Sequence, residues 1–290
     1  MSGFANMRRA ALLICALGAC QPKHDAASRG DSAAVAAAPA AASTPPVVTV
    51  HARDFAYDAP DQVAAGMTTF RLVNDGPGLH HLVLIRLDSA KTAADLQAAM
   101  QKPGPFPGWA VLAGGPNAVD PATESAATVD LVAGNYVMIC FVDVPNGVPH
   151  FAKGMIKPLT VTPSATPSAS APVADVVITL SNYQFGLSQP LTAGPHILKV
   201  ETQPGQPHEL VLIRLNPGKT QKDLVAWMQK MQGPPPGHVA GGASPSVAGS
   251  PVYVSVNLVP GKYLLICFLP DATNGKPHFT HGMVQSVDVA

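Results

Sequence analysis

The chain has 290 residues, of which only 12% are charged, and its 18 basic side chains are balanced by 18 acidic ones. This length suits two domains of ordinary size, each large enough to bury a core. The balanced charge excludes the basic surface that a nucleic-acid-binding protein needs, so no nucleic-acid partner is predicted.

The N-terminal residues predict export and lipid anchoring. Arg8 and Arg9 precede a short apolar run that ends in LGAC at Cys20. The run is too short to span a bilayer, and LGAC resembles the lipobox of bacterial lipoproteins, in which the cysteine is lipidated. We therefore expect residues 1–20 to be a lipoprotein-type signal peptide, with lipid on Cys20 holding the protein in the cell envelope. An ordinary secretory signal is the alternative.

The rest of the sequence divides into a tether and two similar segments. Residues 21–46 are rich in Ala, Pro and Ser, which predicts a disordered tether. The segments 47–162 and 175–290 are predicted to be two domains, separated by a linker over 163–174 of similar composition. They are copies of one another: HHLVLIRL from His80 matches HELVLIRL from His208 at seven of eight positions.

Each repeat is predicted to be a β-sandwich with one short helix. Apolar segments bounded by Gly, Pro and Asn predict six strands per repeat. They cover 47–51, 68–74, 81–87, 126–132, 136–142 and 155–161, then 176–181, 196–202, 209–215, 252–258, 262–268 and 283–289. A Thr-x-x-Asp sequence at Thr92, and again at Thr220, predicts the start of a helix. The Gly- and Pro-rich segment after each helix receives no role.

The cysteines indicate a metal site in each repeat. Cys15 and Cys20 belong to the predicted leader, which leaves Cys140 and Cys267 at equivalent positions, one per repeat. Neither repeat can form an internal disulfide. In an oxidising compartment such a thiol is a liability unless it is buried, paired between the repeats or bound to a metal.

Other potential ligands surround each cysteine. Nine residues separate Cys140 from the next histidine and ten separate Cys267 from its counterpart, and a methionine follows each histidine after four more. Thiolate, imidazole and a weak thioether belong to the donor set of a blue-copper centre, which needs a second imidazole. The repeat alignment offers the histidine that opens each LVLIRL segment. The predicted ligands are His80, Cys140, His150 and Met155 in the first repeat, and His208, Cys267, His278 and Met283 in the second.

This order of residues resembles the cupredoxin (blue-copper, plastocyanin-like) family. There the first histidine opens a strand in mid-domain, and Cys, His and Met follow a turn like Gly-x-Tyr-x3-Cys, which both repeats contain at Gly134 and Gly261. The resemblance implies a mostly β protein of two tandem Greek-key β-sandwiches. It also implies up to one copper per domain, alternating between Cu(I) and Cu(II). The Cys-to-His spacing is longer than in compact electron carriers and is closer to the type 1 domain of copper nitrite reductases.

The predicted function is one-electron transfer or copper handling in the cell envelope. The partner would be a redox protein or a copper donor or acceptor, and Phe151 and Phe279, beside partly exposed histidines, are predicted to form its apolar docking patch. No His-x-His pair occurs, so we expect neither copper oxidase nor nitrite reductase activity and predict that the chain is not an enzyme. The alternative is a metal-free cupredoxin-like binding or structural module on the cell surface.

His81 follows the proposed ligand His80, but its counterpart in the second repeat is Glu209. A ligand role shared by both repeats is therefore not expected. Orientation of neighbouring ligands is the remaining functional interpretation of His81.

Overall fold

The computed structural model describes residues 43–102, 104–145, 147–230 and 232–290. The predicted signal peptide, Cys20 and nearly all of the predicted tether lie outside these residues. Residues 42–290 form one compact unit. Within the described ranges, no helix has the length and apolar character that crossing a membrane requires.

Within its described residues, the first repeat contains nine strands, one α-helix and one 3-10 helix. The strands β1 to β9 are Val47–Arg53, Ala56–Asp58, Gln62–Ala64, Gly66–Asn74, Val83–Leu87, Ala110–Leu112, Glu124–Leu131, Gly134–Ile139 and Ile156–Thr162. Helix α1 covers Ala93–Met100, and the 3-10 helix covers His150–Lys153. The six strands predicted for this repeat are confirmed, whereas the short strands β2, β3 and β6 were not foreseen.

The described part of the second repeat has the same plan with eight strands. The strands β10 to β17 are Val176–Ser181, Gln184–Leu187, Gly194–Thr202, His208–Leu215, Gly237–Ser246, Val252–Leu258, Gly261–Ile266 and Val284–Val289. Helix α2 covers Gln221–Lys230, and a 3-10 helix covers His278–His281. All six predicted strands are again confirmed. Strands β11 and β14 were not predicted. Strand β14 runs through a Gly- and Pro-containing segment that has no strand signal.

Both α-helices begin as the Thr-x-x-Asp sequences predict. The Thr92 hydroxyl accepts a hydrogen bond from the Asp95 amide, and the Asp95 carboxylate accepts one from the Thr92 amide at 2.9 Å. Thr220 and Asp223 form the same reciprocal pair in α2. Each reciprocal pair, known as a capping box, provides hydrogen-bond acceptors for two backbone amides at the helix start that have no partner within the helix.

Each repeat is a sandwich of two sheets, so the predicted mostly β fold is confirmed. In the first repeat, strands β7, β4, β1 and β2 face the sheet ordered β3-β9-β8-β5-β6. In the second repeat, strands β15, β12, β10 and β11 face the sheet ordered β14-β13-β16-β17. A hydrophobic core of buried side chains, Phe70 and Leu72 among them, fills the space between the sheets.

The strand before each cysteine directs the thiol into the sandwich. Successive side chains of a strand point to opposite faces. In β8, Tyr136 and Met138 therefore point into the sandwich core, as does Cys140, which follows the strand at the same period of two. Val137 and Ile139 point the other way, into a second hydrophobic cluster on which α1 packs. The predicted common face of Tyr136 and Cys140 is thus confirmed.

The two repeats share one sheet. Strand β7 pairs antiparallel with β15, which joins four strands of each repeat into an eight-stranded sheet. Ala127 lies opposite Val254, and these are equivalent positions of the two repeats. A bridge between Pro116 and Ala243 also pairs equivalent positions. Equivalent residues that pair with one another indicate a pseudo-two-fold relation, and the two repeats are joined by direct backbone pairing.

The Gly- and Pro-rich segments that lacked a role form the second half of this interface. The Asn117 amide donates to the Gly242 carbonyl at 3.1 Å, and the Ser244 amide donates to the Gly115 carbonyl at 2.8 Å. Gly115 and Gly242 both have positive φ, at 124° and 143°. A Cβ on Gly242 would stand 2.0 Å from the Leu210 carbonyl oxygen of the neighbouring strand β13. Only glycine therefore allows β14 to lie this close to β13.

Candidate metal centres

The structure brings the first predicted ligand set together. The Nδ1 atoms of His80 and His150 lie 3.2 Å apart, and the Cys140 sulfur lies 3.5 Å from His150 Nδ1. All three donor atoms lie within 4.8 Å of one another. We call this group site 1.

The second repeat forms the same group at nearly the same distances. The Nδ1 atoms of His208 and His278 lie 3.1 Å apart, and the Cys267 sulfur lies 3.3 Å from His278 Nδ1. We call this group site 2. Both repeats thus bring the same three kinds of side chain together in the same arrangement.

Backbone hydrogen bonds fold the ligand loop back onto the cysteine. The Cys140 amide donates to the Met155 carbonyl at 3.2 Å, and the Phe151 amide donates to the Cys140 carbonyl at 2.9 Å. The His150 amide donates to the Val142 carbonyl at 2.8 Å. These bonds bring the second histidine beside the thiol although nine residues separate them in sequence.

The methionines lie next to the cysteines at the level of the backbone. Met155 and Met283 are fully buried, and the Met283 carbonyl accepts from the Cys267 amide at 3.2 Å. Both occupy the position along the chain at which a weak axial ligand is expected. Their ligand role remains a prediction.

Burial controls the protonation of both groups. It raises the pKa of the Cys140 thiol to about 11 and also raises that of Cys267, to which the charge of Glu209 adds. Burial lowers the pKa of His208 to about 4, with a further contribution from His278, and lowers the pKa of His150. Near neutral pH the metal-free sites therefore hold protonated thiols and neutral imidazoles.

These residues fit a copper ion. Two neutral imidazoles and one sulfur, all buried, are the His2Cys set that suits copper. Ligation through Nδ1 leaves the Nε2 hydrogen of the first histidine to an outer acceptor. The Asp54 carboxylate lies 3.3 Å from His80 Nε2, and the Asn182 amide oxygen lies 3.3 Å from His208 Nε2. The two repeats thus provide acceptors at equivalent positions with different charge.

Two aromatic residues that the sequence did not indicate cover the second histidine of each site. The Phe55 ring meets the His150 ring edge-on with centroids 5.2 Å apart, and Tyr183 meets His278 in the same way at 5.6 Å. Both have positive φ, 65° and 62°, which is costly for a bulky side chain. The available signal was the pair of equivalent dipeptides, Asp-Phe and Asn-Tyr, after the first strand of each repeat.

His81 and Glu209 perform the same task at equivalent positions. The Phe141 amide donates to His81 Nε2 at 2.6 Å, and the Phe268 amide donates to a Glu209 carboxylate oxygen at 3.0 Å. Each amide belongs to the residue directly after the cysteine. Burial, followed by the charges of His150 and His80, lowers the pKa of His81 to about 3, so its ring is neutral and can accept this bond.

The expected exposure of the histidines is wrong. His150 is 4% exposed and His278 is fully buried, because the aromatic rings described above cover them. Phe151 is 6% exposed and packs in the cluster beneath α1, so it offers no docking surface. Phe279 is half-buried against the equivalent cluster of α2.

No protein-family model and no curated protein matches the sequence. Solved structures do match. An auracyanin of Roseiflexus castenholzii is 21% identical, with a TM-score of 0.27, and the match covers 41% of this chain and 98% of that one. A blue copper oxidase of Nitrosomonas europaea is 16% identical, with a TM-score of 0.25, over 85% of this chain and 86% of that one.

A third match is the copper-containing nitrite reductase of Thermus scotoductus. It is 10% identical, with a TM-score of 0.24, and the match covers 85% of this chain and 62% of that one. The matches that span most of this chain are thus named as enzymes, which contradicts the sequence prediction that the chain is not an enzyme. The activities named for these matches are those of the matched proteins.

Proposed function

We propose that this protein binds copper in each repeat and uses it for one-electron transfer or copper handling. The observation that supports this proposal is the pair of buried His2Cys groups with matching geometry. Copper in such a site supplies a centre that alternates between Cu(I) and Cu(II). The chain's own residues supply the donors, their orientation and the exclusion of water.

The protein groups act in two layers. Cys140 and Cys267 would hold the metal as thiolates, so each thiol would have to release its proton. The neutral imidazoles would offer Nδ1, the nitrogen that faces the other donors. Asn182 accepts from the outer nitrogen of His208, and the Asp54 carboxylate lies 3.3 Å from the outer nitrogen of His80. Phe55 and Tyr183 cover the second histidine of each site.

The proposed location is the cell envelope, with the protein exported and held to a membrane by lipid on Cys20. The basic and apolar leader and the LGAC sequence support this assignment. The proposed partner is a redox protein or a copper donor or acceptor of the same compartment.

The test is metal content and absorption of the chain from residue 46 onward. After loading with Cu(II) and removal of weakly bound metal, we expect two coppers per chain and an intense thiolate charge-transfer band. Cys140→Ser and Cys267→Ser should each remove one copper and about half of the band, because each site has one thiolate.

The double variant serves as the matched control and should retain no copper. A wild-type chain that holds no copper and shows two titratable thiols would overturn the proposal. That result would favour the metal-free binding module.

A further inference from the structure

One buried side chain of the first repeat reaches towards site 2. Asn117 lies two residues after Gly115, in the Gly- and Pro-rich segment at the repeat interface, and is 1% exposed. Its side-chain amide donates to a Glu209 carboxylate oxygen at 3.0 Å, to the Leu210 carbonyl at 3.2 Å and to the Ala243 carbonyl at 3.0 Å. All three acceptors belong to the second repeat.

The two oxygens of Glu209 have different partners. Oε2 accepts from Asn117, and Oε1 accepts from the Phe268 amide at 3.0 Å. Glu209 directly follows the ligand His208, and Phe268 directly follows the ligand Cys267. A continuous path of hydrogen bonds therefore runs from the first repeat to the backbone that carries two ligands of site 2.

Site 1 has no such bridge. The equivalent of Asn117 under the pseudo-two-fold relation is Ser244, whose hydroxyl donates to the Pro116 carbonyl at 3.1 Å. The equivalent of Glu209 is His81, which accepts from the Phe141 amide of its own repeat. Within the described part of the chain, no hydrogen bond joins Ser244 to His81.

We propose that Asn117 is a positioning residue for site 2, which acts across the repeat interface through Glu209. The first repeat thereby completes the metal site of the second, whereas site 1 is held by its own repeat. The metal-binding part of this inference rests on the proposed function, but the hydrogen-bond bridge does not.

The physical reason is the cost of an unpaired acceptor in a buried place. Glu209 is only 5% exposed, so water cannot readily replace Asn117. Removing one partner of a buried hydrogen bond leaves the other with its full desolvation penalty. The carboxylate then lacks its second anchor, and the Phe268 amide beside Cys267 loses a fixed partner.

The bridge is tested first in the metal-free protein. Hydrogen exchange of backbone amides is measured in the whole chain with and without Asn117→Ala. We expect the Phe268 amide to exchange at least tenfold faster, with less than a twofold change at Phe141, its equivalent in the first repeat. Equal acceleration of both amides would overturn the proposal, because it would show general loosening. Asn117→Ser provides a milder variant with the same expected direction.

The second experiment measures copper affinity at each site separately. Cys140→Ser leaves only site 2, and Cys267→Ser leaves only site 1. Asn117→Ala should weaken Cu(II) binding at site 2 by 10- to 100-fold, the range typical of residues that support metal ligands. Site 1 should change less than twofold, and Ser244→Ala should leave both affinities unchanged within twofold. Equal weakening at both sites would contradict the proposal.

A double-variant comparison separates positioning from interface packing. Glu209→His gives site 2 the residue that site 1 has at this position. In that background Asn117→Ala still removes the bonds to Leu210 and Ala243, but it should no longer weaken site 2 by more than twofold. A persistent tenfold loss would show that Asn117 acts through packing. If neither site retains copper, the proposed function fails, and the exchange experiment still decides whether the bridge exists.

Discussion

At the scale of single residues, the cysteines differ from ordinary buried thiols in what surrounds them. Cys140 and Cys267 are unpaired and fully buried, which would suit inert core residues equally well. Each nevertheless has an imidazole nitrogen within 3.5 Å and a second imidazole behind it. This polar cluster inside a hydrophobic core is better explained by a bound ion than by packing.

Copper affinity should increase with pH because binding removes the thiol proton. Burial raises the pKa of Cys140 to about 11, so between pH 7 and pH 9 the metal-free residue is a thiol. The histidine pKa values are lowered below 6.5, so these rings are neutral in this range and release no proton. We expect the apparent affinity of each site to rise about tenfold per pH unit.

Competition titrations against a chelator of known pH dependence measure this slope in the two single-site chains. A pH-independent affinity between pH 7 and pH 9 would show that the thiol proton is retained or that sulfur is not a ligand.

At the scale of elements, Gly115 and Gly242 let each interface segment approach the neighbouring backbone of its own repeat closely. Gly242 lies within β14, where its positive φ and its contact with the Leu210 carbonyl leave no space for a side chain. Gly115 has the equivalent contact with the Leu82 carbonyl at 2.5 Å. The same two segments carry Asn117 and Ser244. The backbone bonds between the repeats and the bridge to site 2 therefore both depend on the path of these segments.

Gly242→Ala should be far more destabilising than Gly249→Ala. Both glycines have positive φ, but a Cβ at Gly249 meets nothing within 4 Å. Gly249→Ala should cost about 1–2 kcal/mol from backbone strain alone. Gly242→Ala adds a collision with backbone and should exceed about 4 kcal/mol. Urea unfolding of the metal-free chains gives both values, and equal values would contradict the close approach.

The helix caps provide a smaller effect at the same scale. Thr92→Ala removes the acceptor for the Asp95 amide at the start of α1 and should cost about 1 kcal/mol. Thr220→Ala should have a similar cost in α2, since the same bonds occur there. Thermal unfolding of the two variants provides the comparison. An unchanged midpoint in both would show that the caps do not stabilise the fold.

At the scale of the whole molecule, the shared eight-stranded sheet couples the stability of one repeat to that of the other. Separation of β7 from β15 would expose Val252 and Val254, which are fully buried. It would also leave strand edges without hydrogen-bond partners. The repeats therefore differ from two modules that are connected only by a flexible linker.

We expect the two repeats to unfold in one transition. Trp109 belongs to the first repeat and Trp227 to α2 of the second, so Trp227→Phe and Trp109→Phe each leave one fluorescent reporter. In each single-tryptophan chain, the urea midpoint followed by tryptophan fluorescence should agree with the midpoint followed by circular dichroism, which reports on both repeats. Two separate transitions within one chain would show that the shared sheet does not couple the repeats.

The proposed anchoring also belongs to the whole molecule. In a bacterial host, the full chain should fractionate with membranes and incorporate labelled fatty acid. Cys20→Ser should abolish the label and release the protein from the membrane fraction, because no other lipid attachment site is proposed. Retention of the label in Cys20→Ser would refute the assignment of Cys20.

The sequence by itself determined the features that depend on local chemistry. Apolar segments bounded by Gly, Pro and Asn predicted twelve strands, and Thr-x-x-Asp predicted both helix starts, because turn residues and capping act over a few residues. The internal repeat made it possible to combine His80 with Cys140 and His150, although the first two lie 60 positions apart in the sequence. Short strands such as β2 and β11 were missed, since segments of three or four residues carry little periodic signal.

Tertiary structure alone decided the burial of the histidines, the pairing of the repeats and the bridge to site 2. Nothing near His150 in the sequence shows that Phe55 covers it, and Asn117 and Glu209 lie 92 positions apart in the sequence. Such contacts arise when the two sheets close over a core and the repeats pair about their pseudo-two-fold relation. They depend on the positions of distant backbone segments in space, which local propensity does not specify.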